Sequence, residues 1–483
     1  MGVLFGLSPM ARMTTGDPSR GLDLKEKLHD TLALCPECLK TLKADVFADD
    51  DGAVWMTRTC AEHGQFDTRI WPDVDHYRWL TAQAMPKTPP QNTIACKAPC
   101  PFGCGTCARH ERRGTLLEIE VTWQCNLRCP VCFMSADTEE HDPTLDEISA
   151  MYDVIADAVG TDGAVQLTGG EPTCRKDLPE IIRMGREKGF WGIELNTNGL
   201  VIASRPGYLE SLKEAGVTGL FLSFDGLTGD VYEATCGRDI LKTKLKCVER
   251  CREAGVQVVL CMTILAGLND DQLGDVLRFA LENSDIVAGL ALQPAFTSGR
   301  FNARQATGMT AGDTIFKLAE QSEGLINIED IWPLGCSNPL CDTGVFLVKG
   351  PAPDGVVEHE SGFWPATQFI TVDEYHEAYS PDSPQGSVFY DILSKKGIYV
   401  ADGLSIVIMD YMDAYTMDIQ RLRECSMMVT VPSGQAIPFC SYHLTDASGC
   451  RVYPPWMKEE LRDGPVKSEL ITKYLLGGRG LDE

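Results

Sequence analysis

Three cysteines with C-x3-C-x2-C spacing are the residues of this sequence whose types and arrangement point most directly to chemistry. Cys125, Cys129 and Cys132 follow a short alternating run, residues 119–123, which predicts a buried strand that ends in a tight loop. Three thiolates so close together can bind one face of an iron–sulfur cube, and no fourth cysteine lies nearby in the sequence. One iron would therefore keep an open position for an exogenous ligand, as catalytic metal sites do.

A structural zinc knuckle is the alternative for these three cysteines. It would require a second C-x2-C pair, or a Cys/His pair, shortly downstream. The next histidine, His141, lies in an acidic, proline-containing turn, which is a poor setting for a ligand. The spacing therefore favours the iron–sulfur cluster.

A second group of cysteines lies in residues 31–110. Cys35 and Cys38 form a knuckle whose tight turn can direct two thiolates at one ion. Further cysteines follow in the same segment: Cys60, Cys96, Cys100, Cys104 and Cys107. At least one metal site is expected, with His63, His110 or a distant residue completing the ligand sets. The spacing leaves open how the cysteines divide between sites. It also does not separate a structural zinc from a rubredoxin-type iron.

A third group lies in the C-terminal part of the chain. Cys336 and Cys341 are set in a turn-rich loop, and Cys425 precedes a predicted hairpin that leads to Cys440. Two pairs brought together in this way make a four-thiolate site, which predicts an auxiliary iron–sulfur cluster. The alternative is four unrelated buried cysteines, because free cysteine behaves as a small apolar residue.

Between these groups, residues 115–295 alternate predicted strands and helices. Six strand–helix units in series imply a parallel sheet with right-handed crossovers, which can curl into part of a barrel. Ligands of such sheets bind at the carboxyl ends of the strands. The predicted strands are 116–122, 164–168, 192–196, 219–224, 256–263 and 287–292, and the predicted helices are 145–159, 178–188, 208–215, 231–254 and 271–282. Four regions are expected: an N-terminal arm (1–30), a cysteine-rich metal-binding domain (31–110), the partial barrel (111–295) and a C-terminal domain (296–483).

The composition excludes several classes of function. With 43 basic and 69 acidic residues, the net charge is −26, which argues against binding to nucleic-acid backbones or anionic lipid. No apolar run reaches membrane-spanning length, and the N-terminus does not resemble a secretory signal. Twenty cysteines without such a signal indicate metal ligation in a reducing compartment. A cytoplasmic protein is expected, with peripheral contact to a membrane left open.

The motif LTGGEP, residues 167–172, follows the second predicted strand. In this order and separation, the cysteine loop and this motif resemble the radical S-adenosylmethionine (SAM) superfamily. The resemblance implies a partial (βα)6 barrel, catalysis at Cys125, Cys129 and Cys132, and a [4Fe-4S] cluster that binds SAM and draws on a low-potential electron donor. It also implies that SAM is contacted by residues at the strand ends: Gly169, Gly170, Glu171, Pro172, Asn198, Ser223, Asp225 and Gln293.

The order of cysteine motifs narrows the resemblance to archaeal tetraether lipid synthase and its close relatives, from about residue 35 to residue 442. That family implies several [4Fe-4S] clusters, a rubredoxin-like iron, and joining of the terminal carbons of lipid chains. The same group has been described as methylating a pterin. The leading expectation is coupling of lipid chains, and the alternative is C-methylation of a pterin. A non-catalytic electron carrier is a further alternative, but it would not need a SAM-binding motif.

Overall fold

A computed structural model describes residues 26–95, 98–136, 142–301, 308–356, 359–379, 387–398, 403–446 and 449–453 of the chain. Its first unit is a four-stranded antiparallel meander followed by helix α1 (Val74–Ala82). The strands are β1 (Glu26–Leu34), β2 (Thr41–Ala48), β3 (Val54–Cys60) and β4 (Gly64–Trp71). Because β1 begins at Glu26, residues 26–30, which we had assigned to an N-terminal arm, belong to this sheet.

A second, larger sheet contains most of the remaining strands. The remaining strands are β5 (Leu116–Thr122), β6 (Val131–Cys132), β7 (Ala164–Gly169), β8 (Gly192–Thr197), β9 (Gly219–Ser223), β10 (Val258–Ile264), β11 (Val287–Pro294), β12 (Arg300–Phe301), β13 (Trp332–Pro333), β14 (Asp342–Lys349), β15 (Phe363–Pro365), β16 (Gly403–Met409), β17 (Met427–Val431) and β18 (Gln435–Pro438). β5, β7, β8, β9, β10 and β11 are neighbours in that order, and each pairs in parallel with the next. The predicted six-stranded parallel core, a partial radical SAM barrel, is confirmed.

Helices connect these strands. Beyond α1 they are α2 (Leu145–Val159), α3 (Leu178–Glu187), α4 (Leu200–Ser204), α5 (Tyr208–Ala215), α6 (Gly229–Cys236), α7 (Leu241–Ala254), α8 (Leu273–Glu282), α9 (Ala311–Gln321), α10 (Val372–Ala378), α11 (Ser387–Lys395), α12 (Ile419–Arg423) and α13 (Phe439–Tyr442). Helix α2 carries clear sequence signals of a helix. Thr144 and Glu147 form a capping box at its start. Its buried residues, Ile148, Met151, Tyr152 and Ile155, have the spacing of one helical face.

The helix predicted over residues 231–254 is wrong as a single element. The structure divides it into α6 and α7, because Gly237 has a left-handed backbone (φ 79°) that ends α6. Asp239 then accepts a hydrogen bond from the backbone of Leu241, where α7 begins. The break leaves Cys236 at the C-terminal end of α6.

The parallel sheet also extends past the predicted boundary at residue 295. β16 pairs in parallel with β11, and β17 pairs in parallel with β5. β14 and β18 then add antiparallel strands outside β16 and β17. The C-terminal segment therefore completes both edges of the barrel sheet, which brings its cysteines close to the barrel. None of the helices in the described ranges has the length and apolar character needed to cross a membrane.

Candidate active site and metal centres

The C-x3-C-x2-C loop leaves the carboxyl end of β5. Cys125, Cys129 and Cys132 are half-buried and line one cavity together. Burial raises the pKa of Cys125 to about 12. The backbone N–H of Leu127 donates to its Sγ at 3.4 Å, and this hydrogen bond opposes the rise. Coordination to iron is what would ionise such a thiol near neutral pH, since metal ligands must be deprotonated. Three thiols that face one cavity fit the three protein ligands of a cube with one open iron.

Arg300 holds this loop from the opposite side. Its Nε donates to the carbonyl oxygen of Cys129 at 3.3 Å, and its Nη1 donates to that of Ala136 at 2.8 Å. The short strand β12 also pairs Arg300 with Cys132 of β6. A residue from outside the six-stranded core therefore fixes the conformation of the loop.

Gly169 and Gly170 lie against the chain that leads into the cysteine loop. A side chain at Gly169 would collide with the carbonyl oxygen of Thr122, and one at Gly170 with that of Gln124. The N–H of Gly170 donates to Thr122 O and the N–H of Glu171 donates to Gln124 O, both at 2.8 Å. We expected the glycines to admit a ligand to the backbone. The structure shows that they also admit the neighbouring backbone, which fixes the distance between the two motifs. Both glycines line the cavity, and their contact with SAM stays a prediction.

Glu171 is buried and already engaged by protein donors. Its Oε1 accepts from the backbone and hydroxyl of Thr173, at 3.1 and 2.5 Å, and from the hydroxyl of Thr197 at 2.8 Å. Its Oε2 accepts from the backbone N–H of Asn198 at 2.7 Å. The carboxylate ties the end of β7 to the end of β8, and Pro172 starts the 3-10 turn beside it. Binding of a SAM ammonium group to Glu171, which lines the cavity, stays a prediction.

The four other predicted SAM contacts come together at the strand ends. Asn198, Ser223, Asp225 and Gln293 all line the cavity that the cysteine loop lines. Asp225 is buried and accepts from the backbone of Thr263 at 3.1 Å, and burial raises its pKa. The strand-end rule thus placed them correctly, although their contacts with SAM stay predictions.

Sequence reasoning missed Lys244, a fully buried lysine of α7. Its Nζ donates to the carbonyl oxygen of Asn198 at 2.8 Å and to Ser223 Oγ at 2.7 Å. Burial lowers its pKa, which the nearby charge of Asp225 opposes. A signal existed, because Lys244 precedes the buried residues Cys247, Val248 and Cys251 at intervals of three, four and seven.

Cys236 was also missed. The sequence contains no fourth cysteine close to the C-x3-C-x2-C loop, but in space the Cys236 thiol lies close enough to Cys129 to raise the pKa of Cys129, while its own pKa is lowered. It lines the same cavity, as does Cys261 of β10. The helix break at Gly237, which sequence reasoning did not anticipate, accounts for this placement.

The cavity itself has a volume of about 280 Å³ and walls of two kinds. Its polar floor, on the inner face of the barrel strands, is formed by Glu118, Gln166 and Asn196. Its apolar wall carries Phe133, Phe296 and Phe439, whose ring centroids lie 5.5 to 6.3 Å apart. A polar group and an apolar group of one substrate could therefore be bound at the same time.

The N-terminal meander contains a compact four-ligand group. Ligand atoms of Cys35, Cys38, Cys60 and His63 all lie within 4.8 Å of one another. The turn between β1 and β2 supplies the first two residues, the end of β3 supplies Cys60, and the turn that follows supplies His63. His63 Nδ1 is 3.6 Å from Cys35 Sγ and 3.5 Å from Cys60 Sγ. Three thiolates and one histidine are a structural zinc set, so the histidine favours zinc over a rubredoxin-type iron with four thiolates.

Cys100, Cys104 and Cys107 lie outside this meander site. The neighbouring Cys104 thiol lowers the pKa of Cys100 to about 6, and Ser441 Oγ lies 3.4 Å from Cys104 Sγ. The loop packs in the apolar cluster that also contains Cys440 and Tyr453. Cys35, Cys38 and Cys60 therefore belong to the meander, Cys100 and Cys104 pack with the C-terminal segment, and Cys96 lies outside the described residues. A metal site at Cys100, Cys104 and Cys107 stays a prediction.

Three of the four C-terminal cysteines approach one another. Burial raises the pKa of Cys425 to about 12, and the nearby charge of Cys341 adds to the rise. Burial likewise raises the pKa of Cys440, with a further contribution from the charge of Cys425. The Arg421 guanidinium is 3.3 Å from Cys341 Sγ, and the backbone N–H of Met412 donates to Cys440 Sγ at 3.3 Å; such donors would stabilise the thiolates if a metal ionised them. Cys336 donates to Asp342 at 2.5 Å. Whether all four hold one cluster stays a prediction.

Comparisons with known proteins agree with this architecture. The model of the radical SAM superfamily matches residues 119–280, and that of the HMPTM N-terminal zinc ribbon domain matches residues 27–72. The chain is 30% identical to 7,8-dihydro-6-hydroxymethylpterin dimethyltransferase of Methanocaldococcus jannaschii, over 86% of this chain and 93% of that protein. It is 36% identical to a probable GTP 3′,8-cyclase of Pyrococcus abyssi, over 36% of this chain and 55% of that protein.

Among solved structures, Streptococcus suis SuiB bound to S-adenosylmethionine is similar over 44% of this chain and 47% of that one, with a TM-score of 0.36 and 17% identity. The superfamily match, the partial barrel and the cysteine loop define a radical SAM enzyme, which uses a [4Fe-4S] cluster and SAM. Within that superfamily, the chain belongs to the family of 7,8-dihydro-6-hydroxymethylpterin dimethyltransferase.

Proposed function

We propose that the chain is a radical SAM C-methyltransferase that acts on a pterin-type heterocycle. Cys125, Cys129 and Cys132 would hold the [4Fe-4S] cluster, which supplies, when bound, the electron that cleaves SAM to a 5′-deoxyadenosyl radical. The M. jannaschii relative, whose name states a pterin substrate, is similar to this chain over nearly its whole length and supports the proposal.

The strand-end residues would bind SAM beside the cysteine loop. Asn198, Ser223 and Asp225 would contact the ribose and methionine parts, and Gln293 the adenine edge. Lys244 would act as a positioning residue, because it donates to the backbone of Asn198 and to Ser223 from behind the cavity wall. Glu171 would keep the ends of β7 and β8 at a fixed distance through its hydrogen bonds to Thr197 and Asn198.

The polar floor of the cavity is the observation that favours a heterocycle over a lipid. Glu118 and Gln166 are buried and line the cavity with Asn196. A hydrocarbon chain against these groups would desolvate a carboxyl and two amides without offering them a hydrogen bond, which is unfavourable. A pterin ring carries N–H and carbonyl groups along one edge and could pair with them.

Coupling of lipid chains is the second candidate, because the opposite wall is aromatic. Phe133, Phe296 and Phe439 form a continuous apolar surface beside the cysteine loop. A saturated chain could lie against that surface, and the leading expectation from the sequence was a lipid substrate. The two candidates therefore differ in which wall binds the reacting molecule.

Product analysis in cells tests the proposal. The chain is expressed anaerobically in a bacterial host that makes 7,8-dihydro-6-hydroxymethylpterin, so that the host supplies reductant and one-carbon donors. Mass spectrometry of extracted pterins should show species heavier by one or more methyl groups, and these should be absent with Cys129→Ala. The proposal would be contradicted if the expressed protein is loaded with iron and cleaves SAM but the pterins of the host are unchanged.

A further inference from the structure

We infer that Glu118 and Asn196 form the recognition site for the guanidine-like edge of the heterocycle, the ring N–H together with the exocyclic amino group. The inference rests on the proposed function and names the residues that select its substrate. Neither residue belongs to the cysteine loop, to the GGEP motif or to the predicted SAM contacts. The two side chains come from different strands of the barrel and meet on the cavity floor.

The register of the sheet places these side chains. Glu118 of β5 pairs with Gln166 of β7, and Gln166 pairs with Glu194 of β8. Asn196 follows Glu194 by two residues, so it lies on the same face of β8, nearer the carboxyl end. Glu118, Gln166 and Asn196 all line the cavity; Glu118 and Gln166 lie side by side, and Asn196 lies one step nearer the carboxyl end of the neighbouring strand.

Hydrogen bonds within this group use both N–H groups of Asn196 and one of Gln166, and they leave Asn196 Oδ1 without a donor among the described residues. Asn196 Nδ2 lies 3.3 Å from Gln166 Oε1 and 3.5 Å from Glu118 Oε1. Gln166 Nε2 donates to Glu194 Oε2 at 3.1 Å. Asn196 Oδ1 is buried and has no hydrogen-bond partner among the residues that the structure describes. The floor therefore presents a carboxyl group and an amide oxygen to whatever occupies the cavity.

A surplus of buried acceptors calls for a ligand that carries adjacent N–H donors. The guanidine-like part of a pterin has this character, because the N3–H and the 2-amino group point in the same direction and match a carboxylate. Isoprenoid chains offer no donor. Burial raises the pKa of Glu118 to about 8, and the nearby Glu120 adds to the rise. Donation from two ligand N–H groups would favour the ionised carboxylate and oppose that shift.

The test compares two ligands on SAM-loaded holoenzyme under anaerobic conditions. One is 6-hydroxymethylpterin, which is fully oxidised, and the other is 6-hydroxymethyllumazine, in which a carbonyl oxygen replaces the 2-amino group. Wild-type protein should bind the pterin at least about tenfold more tightly, the effect of losing a hydrogen bond to a charged group. Fluorescence titration measures both dissociation constants.

Single-residue variants then test which side chain causes the preference for the pterin over the lumazine. Glu118→Gln should weaken pterin binding by about tenfold or more and reduce the preference over lumazine to roughly threefold or less. Glu194→Gln is the matched control, since Glu194 is a partly buried carboxylate that contacts Gln166 on the same strip of side chains. It should retain the wild-type preference. SAM binding, measured in parallel, reports whether each variant is folded.

The proposed function and the role of Glu118 and Asn196 would be overturned by different results. If the wild-type protein binds neither ligand, the proposed function is overturned, and the inference with it. If the wild-type protein binds the pterin but does not discriminate against the lumazine, or if Glu118→Gln binds both as the wild type does, the inference alone is overturned. The comparison of ligands on the wild-type protein needs no variant, so it decides the question even if Glu118→Gln does not fold.

Discussion

Lys244 donates a hydrogen bond of 2.7 Å to Ser223 from a helix that lies behind the carboxyl ends of the barrel strands. The same ammonium group donates to the carbonyl oxygen of Asn198, so one buried lysine of α7 joins the ends of β8 and β9. Both partners line the cavity that the cysteine loop borders. Lys244 itself does not line that cavity, so its effect on the cavity's shape acts through Asn198 and Ser223.

Replacement of Lys244 by methionine tests this connection. Two buried acceptors would lose their donor, so the free energy of unfolding should fall by about 1–3 kcal/mol. SAM affinity should fall by about tenfold, because Asn198 and Ser223 would no longer be held. Lys246→Met is the matched control, since Lys246 is on the same helix but partly exposed and paired with Glu249. A K244M protein with wild-type SAM affinity and pterin-dependent SAM cleavage would contradict the positioning role.

The cysteine loop should be indispensable for cleavage of SAM. Cys125→Ala, Cys129→Ala or Cys132→Ala should abolish formation of 5′-deoxyadenosine, because two thiolates do not hold the cube. Cys450→Ala should have no effect, since Cys450 is exposed and lies outside the three cysteine groups. Chromatography of anaerobic reactions with dithionite measures the product. Normal yields from any of the three loop variants would refute the assignment.

The N-terminal group should hold a single zinc ion. His63→Ala should release most of about one zinc per chain and lower the melting temperature, because a structural zinc site contributes directly to folding. Glu62→Ala, which alters the exposed neighbouring residue, should keep the zinc. Elemental analysis after removal of iron measures the content. Iron retained at this site, with no zinc in protein purified from zinc-containing medium, would be the contrary result.

The C-terminal cysteines should affect the full reaction more than cleavage of SAM. Cys440→Ala should lower the iron content by about four per chain, the content of one [4Fe-4S] cluster, and leave 5′-deoxyadenosine formation largely intact. Formation of methylated product should fall, because these cysteines lie close to the cavity. Burial raises the pKa of Tyr411, which lines the cavity, and the nearby charges of Cys440 and Cys425 raise it further. Unchanged iron content, or a total of only about four irons per wild-type chain, would argue against an auxiliary cluster.

The periodicity of apolar residues was enough to predict the alternating strands and helices of the barrel. The strands from 116 to 292 alternate with helices whose apolar residues are regularly spaced, as in α2. The predicted site residues at the carboxyl ends of these strands line the cavity. The edges of the sheet were not predictable in this way. β16 and β17 join it through pairing between segments far apart in sequence, which no local periodicity encodes.

The site was predicted where motifs are contiguous and missed where it is assembled in space. Cys125, Cys129 and Cys132 share one loop, whereas the sequence offered His63 only as one of several candidate ligands, because its place beside Cys35, Cys38 and Cys60 depends on how the turns of the meander face each other. Cys236 reaches Cys129 because Gly237 ends α6 early. Glu118 alternates with apolar residues in β5, as Glu120 does, so local sequence does not single it out; its position on the cavity floor is seen only from the register with Gln166.

Substrate-dependent cleavage of SAM by the reconstituted enzyme tests the assignment to a pterin-type substrate most directly. The initial rate of 5′-deoxyadenosine formation is measured with a low-potential reductant, first without substrate, then with 7,8-dihydro-6-hydroxymethylpterin, and then with an isoprenoid diether lipid in detergent. We expect the pterin to accelerate 5′-deoxyadenosine formation and the lipid to leave the basal rate unchanged. Acceleration by the lipid with no response to the pterin would contradict a pterin substrate and establish the lipid alternative.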